Sequence, residues 1–552
     1  MTATVEESLK LLQEGEVARA VALCETLRQD PAHECDALHL LGVAAAHEGD
    51  AERALRLMGE AVQKDPDNDE RRFNLGALAL DVGAFEVAIE HLSWAAAHNP
   101  SDPACQTLLG NALSKEGRHA EAVAAQERAV ALASTHAGLW GNLAGAYLAW
   151  GKLEAAETGY RHAIQLGPND PELYYNLGGA LVRQGKNAEA IGCFELVLGL
   201  DPQHGRARTS LGAVMRGMGQ LELGLKQLER AYETAAEDCD VRFNLGLAYL
   251  SMGKWAEGWP LYEARRERMP QLGREGFGVP WDGSSAPGEK LVIEREQGLG
   301  DSLMFARFLS AARDRVGSVE LRTQERLVPF LKESLRVEGV EIVPFEVEPF
   351  SGLYAPMMSL AHLVDAGADL RAADVPYLSA SPERIERWRA KLGPSDKLRV
   401  GLVWQGNPGF PHDAQRSVAL EQLAPLLSLT EFEIICLQQV HGLEQLDALP
   451  SELRPRRLEG VDADGAFVDT AALMSLMDHV VTIDSACVHL AGGLGVQTSL
   501  LLHHSPDWRW GQGSEAWYPS VTEYRQSRPG SWKEPVERLT AHLAERARRS
   551  VG

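Results

Sequence analysis

Basic residues are scarce in this chain: 54 Lys and Arg stand against 78 Asp and Glu over 552 residues, a formal charge of −24. Nucleic-acid binding needs clustered cations that displace counterions from phosphates, so that function class is set aside. Absent too is any run of about 18 uncharged apolar residues, the least that crosses a bilayer as a helix. The start, MTATVEESLKLLQEGE, has no basic opening followed by an apolar stretch. A cytoplasmic protein with no membrane span is expected. The seven cysteines, from Cys24 to Cys487, are odd in number and form no C-x-x-C pair. They suit neither a disulfide framework nor a zinc knuckle and read as small buried hydrophobes. The length predicts about three or four units, each able to bury its own core.

What the chain does have is repetition. Gly42, Gly76, Gly110, Ala144, Gly178, Gly212 and Gly246 recur every 34 residues. Twelve residues after each comes a second small residue: Ala54, Ala88, Ala122, Ala156, Ala190, Gly224 and Gly258. Two helices must approach closely at these positions. A larger residue follows four places later, one turn along the same helix face: Met58, Leu92, Tyr160, Phe194, Leu228 or Tyr262. Pro66, Pro100, Pro168 and Pro202 close repeats, because proline cannot continue a helix.

This period resembles that of the tetratricopeptide (TPR) helix pair, and predicts a repeat array over residues 1–268 capped by an irregular pair near 5–34. Such stacks leave a concave surface, so binding of an extended peptide or another protein is expected. Asn74, Asn142, Asn176 and Asn244 fall at one repeat position. Their carboxamides could both donate to and accept from an acceptor backbone, whatever its sequence; the plain alternative is that Asn is simply common at this position.

Near Trp255 the pattern dissolves into a Gly/Pro-rich linker, 269–288. Beyond it the periodicity changes. Leu291–Glu294 reads as a buried strand, EQGLGD as a glycine turn through Gly298 and Gly300, and Ser302–Ala312 as a helix, opening an α/β lobe over 289–392. LRVGLVW, ending in QGNPG, opens a second lobe over 393–552, with strands near 431–438, 479–484 and 498–503, helices near 469–477 and 485–494, and a closing helix from about 532. Open parallel sheets bind ligands at the carboxyl ends of strands, which points to the loops starting at Glu296, Gln405 and Asp484.

EREQGLGDSLMFARFL, GLVWQGNP with QRSVAL, VDTAALMSLMDHVVTIDSACVHLAGGLG, and PDWRW with WYPS and YRQ resemble the catalytic half of bacterial TPR-fused glycosyltransferases. That half is similar to ADP-heptose heptosyltransferases, in a layout like that of O-GlcNAc transferase. The resemblance implies an α plus α/β fold: a TPR solenoid followed by a GT-B pair of Rossmann-like lobes, the second holding the donor. It implies Asp301 as the base that deprotonates the acceptor, with a helix cap as its alternative role. It further implies Asp484, Ser485 and His489, in the pattern D-[ST]-x-x-x-H, as contacts or supports of the donor phosphates; the alternatives are a plain helix cap for Ser485 and a satisfied core histidine for His489. Asn407 and Arg416 bracket the loop after the second lobe's first strand as further candidate phosphate contacts, where the arginine could neutralise phosphate bidentately; a solvent-facing arginine is the alternative.

No metal and no resident cofactor are implied; the nucleotide sugar is a co-substrate whose base, CMP, UDP or ADP, is left open. Flagellin is one acceptor the resemblance suggests. Where the family has an aromatic in G-x-P-x-W-x-L-L, this chain has GVQTSLLLHH, which puts the donor pocket in question. The lone D-x-D, Asp462 to Asp464, sits in a loop and is not read as a metal site. The rival function is a non-catalytic TPR adaptor or chaperone carrying a degenerate nucleotide-binding module.

Overall fold

The computed structural model describes residues 4–268, 277–335, 337–346, 348–364, 375–410, 413–511 and 513–551. The chain divides into two compact units, 1–207 and 208–552.

The first unit is a stack of helix pairs: Val5–Gln13 with Val17–Leu27, Glu34–His47 with Ala51–Lys64, Asp69–Asp81 with Phe85–His98, Pro103–Lys115 with His119–Leu132, Ala137–Ala149 with Leu153–Leu166, and Pro171–Arg183 with Asn187–Leu200. Local chemistry sets their ends. Asp102 and Asp170 accept the N–H groups of Ala104 and Glu172, with proline at the first helical turn behind each cap. The first helix of every pair ends at a left-handed glycine: Gly15, Gly49, Gly83, Gly117, Gly151 and Gly185, with φ between +76° and +81°. Past Gly49, for example, the Asp50 N–H returns to the Ala45 carbonyl at 2.9 Å and turns the chain back. These glycines are a second 34-residue series, and they mark the turns directly.

The expected close approach is present, with one refinement. The larger residue sixteen places on lies against the small residue itself. A Cβ added to Gly178 would meet Phe194 Cε1 at 2.6 Å, and one on Gly42 would meet Met58 Cγ at 2.4 Å. Opposite Gly110 the filler is Gln126, buried and bonded through Nε2 to the Thr107 carbonyl and Asn111 Oδ1.

The second unit begins with helical hairpins, Leu221–Thr234 and Cys239–Ser251 with Trp255–Tyr262 among their helices, and continues into two sheets. The first sheet comprises β1 (Phe277–Pro280), β2 (Ala286–Glu294), β3 (Val316–Thr323), β4 (Val340–Pro344) and β5 (Phe350–Pro356), in the order β1-β5-β2-β3-β4. The second comprises β6 (Leu398–Leu402), β7 (Phe432–Cys436), β8 (His479–Ile483), β9 (Thr498–Leu502) and β10 (Val521–Arg525), in the order β10-β9-β8-β6-β7. Every pairing in both sheets is parallel. Strands β8 and β9 are buried at every residue, as sheets covered on both faces require. The protein is thus a TPR solenoid followed by an α/β portion with two parallel five-stranded sheets.

The span 269–288, expected as a linker, carries β1 and the start of β2; residues 269–276 lie outside the described ones. Nor does the helical hairpin ending near residue 268 stand apart from the sheets. Trp259 packs edge-on against Trp508, ring centroids 5.4 Å apart, and Trp255 against Trp517 at 5.5 Å. Trp259, Tyr262, Phe305, Trp508 and Trp517 belong to one buried core.

Candidate functional site

Each sheet reverses its strand order once, between β2 and β5 in the first and between β6 and β8 in the second, and a ligand crevice forms at such a reversal. In the first lobe that place is filled. Glu296, just past β2, has no exposed side chain and accepts both Nε and Nη2 of Arg265, at 2.8 and 3.0 Å. Its Oε1 also accepts the Met358 N–H, just past β5, and Arg265 reaches Ser359 Oγ and Glu263 as well. The arginine comes from the end of the helical hairpins. The open chemistry therefore gathers at the second lobe and at the turn that faces it.

That turn is the glycine loop of the first lobe. Gly298 caps the helix Leu299–Phe305, and its N–H donates to Asp301 Oδ2 at 3.0 Å. Asp301 thus takes the capping role, and its other oxygen, Oδ1, accepts Arg509 Nη2 at 2.5 Å. Arg509 comes from the second lobe's tight helical turn Trp508–Trp510. It also donates to Asp507 at 2.6 Å and lies over the Trp508 ring at 4.5 Å. Sequence reasoning missed Arg509, quoting PDWRW without giving the arginine a role. The available signal was an arginine between two tryptophans and two places after an aspartate, a cation that aromatic faces and a carboxylate would hold in place.

Gly300 lets the lobes touch: a Cβ there would stand 3.1 Å from His489 Cδ2 and 3.3 Å from Ala486 Cα. Ser485 ends its loop as the N-cap of the helix Ala486–Gly493, its oxygen accepting the Cys487 N–H at 3.4 Å. His489 is buried inside that helix. Its Nδ1 pairs with Tyr518 Oη at 3.0 Å and its ring stacks on Trp510, centroids 5.5 Å apart. Burial, with the nearby Arg509 and Arg307 cations, pushes His489 well below the usual histidine range, so it is neutral at physiological pH.

Asp484, at the end of β8, is pushed up to about 6 by burial and by the Asp507 carboxylate, against the pull of Arg509 and Arg416. Arg416 crosses the strand-order reversal. It donates to the Asp484 carbonyl at 3.0 Å and to Asp413 at 3.0 Å, with its guanidinium over the Phe410 ring. Gly406 leaves room for it, since a Cβ there would lie 2.1 Å from Asp413 Oδ1 and 2.7 Å from Arg416 Nη2. Asn407 is exposed and accepts the Gly409 N–H at 2.9 Å, shaping the loop. Asp301, Asp484, Ser485, His489 and Arg416 are therefore brought close together around Arg509, at the second sheet's strand-order reversal.

The four asparagines do not behave alike. Asn74 Nδ2 pairs with His39 and Asn244 Nδ2 with the Asp240 carbonyl. Asn142 is exposed and Asn176 half-buried, and neither has a partner among the described residues. In the D-x-D, Asp462 accepts the N–H groups of Asp469 and Thr470 at 2.7 and 2.9 Å and the Thr470 hydroxyl, and Asp464 faces Arg384. The first aspartate is a helix cap. Among the cysteines, Cys24, Cys105, Cys193 and Cys436 are buried while Cys35, Cys239 and Cys487 are half-buried.

Profiles of the tetratricopeptide repeat match residues 45–112, 104–136, 144–185 and 171–204. Protein FlbA of Caulobacter vibrioides is 25% identical over 543 residues, covering 92% of this chain and 84% of that protein. Among solved structures, a crystal structure of MamA is 26% identical over 29% of this chain and 94% of its own, with a TM-score of 0.27. A tetratricopeptide repeat protein from Parabacteroides merdae is 18% identical, covering 44% of this chain and 96% of its own, with a TM-score of 0.39. The repeats support a role in protein–protein interaction. No helix among the described residues is long and apolar enough to cross a membrane.

Proposed function

We propose that this chain is a protein glycosyltransferase, moving a sugar from a nucleotide-sugar donor to a Ser or Thr hydroxyl of a protein acceptor held by the repeats. The observation that carries the proposal is the crevice just described, where Asp301 with Arg509 faces the Ser485 helix terminus and Arg416. In the proposed step, Asp301 takes the acceptor hydroxyl's proton. The hydroxyl oxygen bonds the sugar's anomeric carbon as the bond from that carbon to the donor phosphate oxygen breaks, and the nucleotide leaves with that electron pair. Arg509, Arg416 and the first N–H groups of the Ala486–Gly493 helix supply positive potential for the leaving charge. The Ser485 hydroxyl can still donate, because its bond to Cys487 uses only a lone pair. The step calls for no metal.

Flagellin is the first acceptor to test. Purified full-length protein is incubated with it and, separately, with CMP-, UDP- and ADP-linked sugars, and the acceptor is weighed intact. A gain of one sugar mass that Asp301→Asn abolishes is expected. No gain with any donor, together with no nucleotide binding by calorimetry, would overturn the proposal.

A non-catalytic adaptor is the second reading. It is favoured by one observation: the His489 ring is engaged by Tyr518 and Trp510 within the fold and does not reach outward. Nucleotide binding without transfer to any acceptor would select it.

A further inference from the structure

A cavity lies in the second compact unit, and none of its lining residues belongs to the proposed donor or acceptor contacts. It encloses about 270 Å³ between the helical hairpins, which contribute Arg216 and Gly219, and the loops past β9 and β10, which contribute His504, Ser505, Arg525, Gln526 and Ser527. That volume suits a small group; clefts that take whole drug-sized ligands run to roughly 300–1,000 Å³.

Its lining is cationic and incompletely bonded. The Arg216 side chain has no hydrogen-bond or ion-pair partner among the described residues, and its Nε is shut away from solvent. Burial pushes its pKa down, and the one carboxylate that counters this, Asp507, is already bonded by the side chain and N–H of Arg509. A guanidinium does not lose its proton in a protein, so this partly buried charge attracts an anion. Arg525 adds a second guanidinium, shared between Glu523 and the Trp510 carbonyl. Gln526 turns its oxygen to the N–H groups of His504 and Gly530 and leaves its Nε2 donors without a partner. Over Gly219, the nearest atoms across the space are Ser505 Oγ and His504 Nε2. Of the donors on these lining residues, Arg216 Nε and Gln526 Nε2 lack an acceptor.

We infer that this cavity is an anion site, taking a carboxylate or phosphate group of a small ligand on Arg216, Arg525 and the Gln526 amide. Full-length protein is titrated by calorimetry and thermal melting with inorganic phosphate and with glucuronate, against chloride at matched ionic strength. Saturable binding of either probe is expected, and which one binds identifies the group. Arg216→Met should weaken that probe by roughly tenfold or more. The same variant, without ligand, should melt no lower than wild type, because it removes an uncompensated charge. Arg216→Lys, which keeps the charge without the fork, should bind at intermediate strength and serves if the methionine variant does not fold. Binding of neither probe to wild type would overturn the inference. So would a probe held as tightly by Arg216→Met as by wild type and lost in Arg416→Ala, which would place the anion in the crevice. Failure of sugar transfer leaves the anion site standing, since no step of its test uses a donor or an acceptor.

Discussion

Asp484 offers the sharpest test of how the crevice is built. Its carboxyl is pushed up to about 6, first by burial and then by Asp507, whereas an unstructured aspartate titrates near about 3.9. The folded pKa is raised, so the folded state binds more protons than the unfolded one between those values. Stability is therefore highest below about pH 4 as far as this group is concerned, and falls as pH rises through 6. A gap of about two pH units corresponds to about 3 kcal/mol at neutral pH; solvent reaching the half-buried side chain reduces that to roughly 1 to 3 kcal/mol. Asp484→Asn keeps the size and removes the ionisation. The variant should match wild type near pH 4 and exceed it at pH 7.5, with a melting shift of roughly 2 to 6 °C. The comparison uses the full chain, followed by thermal melting from pH 4 to 8. A difference between variant and wild type that does not change with pH, or a variant less stable at pH 7.5, would refute this account of the crevice as a desolvated acidic pocket.

Asp301→Asn should lower sugar transfer by about a hundredfold or more with the fold unchanged, because the amide still bonds Gly298 but takes no proton; turnover at the wild-type level would remove Asp301 from the mechanism. Arg416→Ala should weaken nucleotide binding by about 1 to 3 kcal/mol in calorimetry, while EDTA leaves transfer intact; activity abolished by EDTA and restored by manganese would refute the metal-free phosphate site. Changing Asn142 and Asn176 together to Ala should raise acceptor KM with nucleotide affinity level, each carboxamide contributing roughly 0.5 to 1.5 kcal/mol, and an unchanged KM would deny the repeats that contact. Gly178→Ala, whose Cβ would press to 2.6 Å of the buried Phe194 ring, should destabilise residues 1–207 by about 1 to 3 kcal/mol in denaturant melts, and a neutral result would mean the helix pair has slack there.

The repeat array was legible in the sequence because every 34 residues the same local constraints return: a small residue against a large one, and proline just past a helix end. The left-handed glycines from Gly15 to Gly253 carry the same period and were there to be read. The buried strands, the glycine turn and the cap at Ser485 were equally local, written in a few neighbouring residues each. The edge strand β1 was not, since its four residues, FGVP, acquire strand character only by pairing with β5.

What only the tertiary structure decided are the pairings between residues far apart in the chain. Arg509 meets Asp301 across 208 positions, and Arg265 fills the first lobe's strand-order reversal by reaching Glu296 and Ser359. Trp255 and Trp259, close to where the repeat pattern ends, lie in the aromatic cluster with Trp508 and Trp517. Periodicity and capping are enforced by atoms a few bonds apart, so the sequence states them by itself. A buried ion pair or a cation with no partner depends on which distant segments the fold brings together and from which it excludes water, and no local pattern of residues records that.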